Sequence, residues 1–151
     1  MDATALAARL LESVPANRTF GITVENARDA RATVALDLKP NLENVIGSLH
    51  ASGLMALVDA TGLAAMISLA EAPDQFTGIA PLATDAQLVF IAPARGRLLG
   101  HCELGPEDQA GLRELLDRAT DRTQLTSDVH ILDEEDTIVC RGYMVWKLRR
   151  R

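Results

Sequence analysis

A single carboxylate stands in the most apolar part of the chain. Asp59 is the only ionisable residue between His50 and Glu71. A carboxylate without a partner in such surroundings is strongly penalised, so it requires a donor, access to water or protonation. Held in this way it can serve as a general base or a nucleophile. Two structural alternatives stay open: an N-cap for a helix that starts at Ala60, or a carboxylate satisfied within the core.

Polar groups precede that carboxylate in a segment that leads into a predicted helix. Asn44 supplies an amide and His50 an imidazole, and the helix start offers the backbone N–H groups of Ala51, Ser52 and Gly53. Unpaired N–H groups at a helix start can stabilise a developing oxyanion. A carboxylate, an amide, an imidazole and these donors could together activate water against an acyl carbon.

Hydrophobic periodicity predicts the elements that position these groups. A period of 3.6 residues predicts helices over residues 2–14, where Pro15 ends the helix, and over residues 52–71 and 106–119. Alternation predicts strands near residues 20–24, 32–38, 79–92, 97–104, 124–132 and 137–148, with a turn at residues 26–29. This order is typical of an α+β fold in which one curved antiparallel sheet wraps a long central helix.

Composition excludes several classes of protein. A chain of 151 residues with 48% hydrophobic and 24% charged residues has the size and balance of one globular domain, residues 1–151. A net charge of −6 argues against a nucleic-acid partner, and 3% aromatic residues argue against base-stacking platforms. Cys102 and Cys140 lie in apolar stretches, which predicts buried free thiols in a reducing cytoplasm.

The apolar segment of residues 52–70 approaches the length of a transmembrane helix. Asp59 lies at its centre, where a charge costs about 2.5–3.5 kcal/mol on insertion scales. No Lys or Arg occurs between Lys39 and Arg95, so basic flanks are missing. Residues 2–14 lack the features of a secretory signal. We therefore expect a buried helix of a soluble cytoplasmic protein that has no membrane partner.

One stretch resembles a known family. Residues 44–66, NVIGSLHASGLMALVDATGLAAM, are similar to the helix segment of hotdog-fold acyl-CoA thioesterases of the phenylacetyl-CoA thioesterase-like group. The matching positions are Asn44, Gly47, His50, Leu57 and Asp59. The His-Gly-Gly of that motif is His-Ala-Ser here, with a glycine only at the next position. Residues 83–96, ATDAQLVFIAPARG, resemble the strand that follows the helix. The helix over residues 106–119 is additional to the minimal fold.

The resemblance implies a hotdog fold and hydrolysis of an acyl-CoA or acyl-carrier thioester, in which coenzyme A is part of the substrate. Asp59 would be the general base or nucleophile, and Asn44 would hold the attacking water or the carboxylate. The N–H near Ala51 would polarise the thioester carbonyl, and His50 would orient the loop or lie near the sulfur. Such sites lie between the protomers of a homodimer or a dimer of dimers.

Further residues are expected to contact the substrate. They are Gly47, Ala51, Ser52, Gly53, Thr84, Arg95 and Arg97. Thr84 lies beside position 83, where the group sometimes has Ser or Thr. Arg95 and Arg97, or the cations of residues 147–151, are candidates for coenzyme A phosphates, and a solvated basic surface is the alternative. The acyl pocket is expected to be aliphatic, with Leu54, Met55, Val58 and Leu63 along the helix.

Two other functions remain open. The first alternative is a non-catalytic module that binds acyl-CoA, in which Ala51 and Ser52 in place of two glycines have closed off the chemistry. A hotdog dehydratase or hydratase is a third reading. His101 and His130 lie on strand faces with charged residues and are predicted to face solvent. Together with His50 they do not have the spacing of metal ligands, so no metal is expected.

Overall fold

The computed structural model describes residues 1–151 as four α-helices around and within one antiparallel sheet. The helices are α1 (Ala3–Leu11), α2 (Pro15–Phe20), α3 (Ala51–Ile67) and α4 (Pro106–Leu116). The strands are β1 (Thr23–Arg28), β2 (Arg31–Asp37), β3 (Ile79–Phe90), β4 (Arg97–Glu103), β5 (Arg122–Leu132) and β6 (Ile138–Arg150). They lie in the order β1-β2-β4-β5-β6-β3.

Helix α3 is the centre of the core, and the sheet curves around it. Small residues allow this close approach: a Cβ added at Gly62 would lie 2.9 Å from Cβ of Ser127 on β5. The indole N–H of Trp146 on β6 donates to Oγ of that same serine at 2.9 Å. A long helix wrapped by a curved six-stranded antiparallel sheet is the hotdog fold, so the predicted fold class is confirmed.

The N-terminal region differs from the prediction of one helix over residues 2–14 followed by a strand from Phe20. Helix α1 ends at Leu11, and Pro15 begins a second helix instead of ending the first. Proline is favourable in the first turn because its missing N–H has no partner there in any helix. Gly21, at φ +71°, then ends α2. Phe20 is therefore helical, and β1 begins at Thr23.

Three further predicted boundaries are wrong. Residues 26–28 continue β1, and the hairpin turn consists of Asp29 and Ala30, whose φ angles are +52° and +65°. Two central residues with positive φ match the twist of the flanking strands. Helix α3 ends at Ile67, before residue 71, and α4 ends at Leu116 because Arg118 adopts φ +63°.

Strand β3 lies at one edge of the sheet, with its second side unpaired. Every residue from position 81 to 87 is exposed, and Leu82, Val89 and Phe90 are 64%, 51% and 59% exposed. The register with β6 shifts between Ala83 and Asp85, which places a bulge at Thr84. A long apolar edge of this kind is a surface with which another strand readily pairs.

Two further sequence predictions concern the interior and the membrane. Cys102 and Cys140 are buried free thiols, as predicted. Burial raises the pKa of Cys102 to about 12 and that of Cys140 to about 11, so neither thiol is a reactive nucleophile near neutral pH. None of the helices combines the length and the apolarity needed to cross a membrane.

Candidate functional site

The loop before α3 is held in shape by its own side chains. Oδ1 of Asn44 accepts from the N–H groups of Ile46 and Ser48, both at 3.0 Å, while Nδ2 donates to Oγ of Ser48 at 2.8 Å. Gly47 adopts φ +73°, a conformation that glycine adopts freely. Arg95 donates to the carbonyl oxygen of Ile46 at 3.1 Å. Three of the predicted site residues thus build this loop.

The start of α3 leaves one backbone donor free. Nδ1 of His50, the N-cap, accepts from the N–H of Ser52 at 3.1 Å and lies 2.7 Å from its Oγ. The N–H of Gly53 donates to the carbonyl oxygen of His50 at 2.9 Å. The N–H of Ala51 has no acceptor within the chain. Of the three donors predicted at this helix start, Ala51 alone remains available to a ligand.

Ala51, the residue that carries this donor, lines an apolar cavity. The cavity volume is about 420 Å³, and the lining residues are Asn44, Ile46, Ser48, Leu49, Ala51, Leu54, Phe90, Ile91, Ala92, Pro93 and Ala94. Sequence analysis predicted Leu54 but missed the segment after β3. The only sequence signal for this segment is the pair Pro93 and Ala94 within residues 83–96, the second stretch that resembles the thioesterase group. Val58, predicted as lining, is completely buried in the core.

Asp59 lies in the interior of α3, so the N-cap alternative is wrong. Its side chain is half-buried, and no group of the chain hydrogen-bonds or ion-pairs with it. Burial alone raises the pKa of the carboxyl. It belongs to the one stripe of α3 that the sheet leaves uncovered, together with Ser52, Met55, Ala56 and Leu63.

The free donor and the carboxylate are apart within the chain. Asp59 follows Ala51 by eight residues, and a rise of 1.5 Å per residue separates their backbones by about 12 Å along the helix. Asn44 and His50 lie near the donor end of the helix and do not contact the carboxylate. The chain therefore carries the predicted groups at two separate places along α3.

The remaining predicted residues have other surroundings. Arg97 forms ion pairs with Asp37, at 3.0 Å, and with Glu25. Gly53 is buried, and a Cβ there would lie 2.6 Å from Cδ1 of Leu49, so this glycine serves packing. Thr84 is exposed at the bulge of β3.

The two strand histidines also differ from each other. Nδ1 of His101 lies 3.1 Å from Oγ1 of Thr33, and its ring is only half exposed. His130 faces solvent directly across from it on β5, as predicted. No group of three or more His, Cys, Asp or Glu side chains has the arrangement of a metal site.

A comparison with known protein families identifies the family of this chain. A profile of the family described as "Domain of unknown function (DUF4442)" matches residues 3–148. The chain belongs to this family. No curated protein sequence matches the chain at a significant level.

Solved structures share the fold of this DUF4442 chain over nearly its whole length. PA5026 from Pseudomonas aeruginosa, described as a probable thioesterase, has a TM-score of 0.77 and 22% identity, covering 98% of this chain and 96% of that one. PaaI from Escherichia coli, of the phenylacetic acid degradation operon, has 0.71 and 17%, covering 99% and 93%. A hypothetical thioesterase from Streptococcus pneumoniae, solved with coenzyme A, has 0.63 and 18%, covering 86% and 87%.

Proposed function

We propose that the protein is a thioesterase that hydrolyses acyl-CoA or acyl-carrier thioesters. The observation that carries this proposal is the free N–H of Ala51 at a helix start, in the wall of an apolar cavity. An apolar wall suits an acyl chain, and a single N–H at the positive end of a helix suits the oxygen of its carbonyl group. The thioesterase descriptions of the structural neighbours support the same reaction.

The proposed enzyme is a homodimer, because one protomer does not bring its catalytic groups together. The chain leaves two surfaces exposed, the uncovered stripe of α3 and the unpaired edge of β3. Antiparallel pairing of β3 with a second β3 gives a two-fold interface that buries both. In this arrangement Ala51 of one protomer and Asp59 of the other form each site.

The proposed reaction follows from these two groups. The N–H of Ala51 stabilises the negative charge that develops on the thioester oxygen. Asp59 takes a proton from water as the water oxygen attacks the acyl carbon. The carbon–sulfur bond then breaks, the protonated carboxyl group of Asp59 gives the proton to the leaving sulfur, and a thiol and a carboxylic acid are released. Direct attack by the carboxylate, followed by hydrolysis of the anhydride, is the alternative route.

Thiol release from a panel of acyl-CoA substrates tests the proposal. We expect turnover by the wild-type protein and a loss of about 10²–10⁴-fold in Asp59→Asn, the range for a positioned base. Asp74→Asn, an exposed carboxylate away from the stripe, is the matched control and should retain activity.

Three outcomes contradict the proposal. Saturable binding of acyl-CoA without turnover in the wild type would indicate a binding module. Formation of an enoyl product would indicate a dehydratase or hydratase. Full activity in Asp59→Asn would remove the carboxylate from the reaction.

A further inference from the structure

A group of cations lies together at one end of the sheet. Arg122, the first residue of β5, is directly opposite Arg149 of β6, and Lys147 is opposite Gln124. Together with Thr123 and Leu148 these residues line a concavity of about 360 Å³. The cationic side chains are exposed, so the concavity is open to a ligand from solvent. We call Arg122, Lys147 and Arg149 the C-terminal cationic cluster.

The charges of this cluster are poorly compensated within the chain. Its one carboxylate neighbour is Asp121, 3.5 Å from Nε of Arg122, and both side chains are more than two-thirds exposed. Other arginines of the sheet have closer partners: Arg31 pairs with Glu103 at 2.9 Å, and Arg97 pairs with Asp37. Like charges opposite each other on neighbouring strands are destabilising. Folding therefore does not account for a concentration of positive charge in a chain of net charge −6.

The proposed dimer brings the cluster to the cavity of the other protomer. In an antiparallel pair, the Ile79 end of one β3 lies beside the Phe90 end of the partner strand. Within the chain, Ala80 of β3 is paired with Arg149, so β6 is the next strand. Two strand spacings, about 10 Å, separate that arginine's strand from the partner β3. Phe90 lines the cavity, so the cluster and the partner's cavity occupy the same end of the joined sheet. Lys147 and Arg149 alternate with the buried Trp146 and Leu148, so the cluster lies on the sheet face turned away from α3, and a ligand that reaches both must pass over the ends of the strands.

We propose that the C-terminal cationic cluster binds the phosphate groups of a CoA thioester whose acyl carbon lies in the cavity of the other protomer. This inference rests on the proposed thioesterase function and its dimer. Guanidinium groups bind phosphate oxygens in pairs, and coenzyme A carries a diphosphate and a 3′-phosphate. Arg97, another candidate for these phosphates, is already neutralised by two carboxylates. The cationic cluster has no such close partners, so its charges are free to bind a phosphate.

Titration calorimetry with adenosine 3′,5′-bisphosphate tests the site without any hydrolysis. We expect saturable binding by the wild-type protein and at least a tenfold weaker affinity in the Arg122→Ala/Arg149→Ala double variant. Arg31→Ala is the matched control, because it removes an exposed arginine from the outer face of the same sheet. In steady-state assays the double variant should raise KM for acyl-CoA at unchanged kcat. Added salt should raise the wild-type KM more than that of the double variant.

The outcomes separate the two proposals. Bisphosphate binding that is lost in the double variant, without acyl-CoA hydrolysis by the wild type, supports the phosphate site and contradicts the thioesterase. Hydrolysis with the same KM in all variants supports the thioesterase and overturns the phosphate site. A defect of the double variant that is confined to carrier-protein thioesters would also overturn it, because the cluster would then contact an acidic protein.

Discussion

Burial removes water from the carboxylate of Asp59 and supplies no donor in exchange, which raises its pKa. A carboxyl with a raised pKa is a stronger base, and its protonation lies closer to the working pH of an enzyme. The same burial destabilises the native state at every pH at which the carboxyl group is ionised. The side chain is thus unfavourable for folding and suited to proton transfer, which is the combination expected of a catalytic carboxylate.

Asp59→Asn is expected to stabilise the protein near neutral pH. Because the pKa of Asp59 is higher in the folded than in the unfolded state, the contribution of this group to wild-type stability is greatest below the unfolded pKa of about 3.9. It is lost as the pH rises through the folded pKa, and the loss persists at neutral pH. Asparagine carries no charge, so the variant should have the higher Tm at neutral pH, and the difference should narrow in acid. Thermal unfolding followed by circular dichroism at several pH values measures this.

The control for this prediction is Asp74→Asn, whose Tm should follow that of the wild type at every pH because its carboxylate is exposed. A lower Tm of Asp59→Asn at neutral pH would contradict the prediction. It would show that the assembled protein supplies the carboxylate with a favourable partner.

Helix α3 begins at Ala51, and a substitution at this first residue can remove a single hydrogen-bond donor. Ala51→Pro deletes the free N–H at the helix position where proline is best tolerated. His50, at φ −58° and ψ 145°, already has the conformation that a residue before proline prefers. We expect kcat to fall by about 10²–10³-fold, as for the loss of one oxyanion donor, with little change in Tm. Ala51→Gly keeps the N–H and should stay active; unchanged turnover in Ala51→Pro would exclude the donor from the reaction.

The sequence predicts the interiors of elements better than their ends. The apolar run of α3 and the alternation of apolar residues in β6 extend over many residues. A single residue that departs from either pattern therefore does not change the predicted element. Pro15 shows the opposite case, because a proline that can end one helix can equally begin the next. The turn at Asp29 and Ala30 contains no glycine, so its two positive φ angles leave no trace in the sequence. The position of β3 beyond β6 depends on contacts distant in the chain.

For the candidate site, the sequence likewise predicts some features and not others. The isolation of Asp59 and the polar groups before it are visible as spacing along the chain. Whether an amide is free or engaged depends on loop geometry, and the amide of Asn44 is engaged on both its atoms. Sequence likewise does not show that His50 occupies the N–H of Ser52 and leaves that of Ala51 free. The segment of residues 90–94 joins the cavity only through folding.

For the whole molecule, the proposed dimer predicts complementation between two inactive variants. If each site joins Ala51 of one protomer with Asp59 of the other, a hybrid of Ala51→Pro and Asp59→Asn has one intact site and one doubly defective site. Subunits mixed in equal amounts and allowed to exchange should recover about a quarter of wild-type activity, because half of the dimers are hybrids. Each variant alone is the control. No recovery, with hybrids verified by mass spectrometry, would place both groups of a site in one chain.

The bulge at Thr84 limits what the exposed edge of β3 can do. A straight edge pairs equally well in several alignments, and such freedom leads to open-ended stacking of chains. An edge with one irregular point matches a second copy only where the two irregularities face each other. In the proposed dimer, growth along this edge would therefore end at the pair, and β3 would not act as a template for further strands.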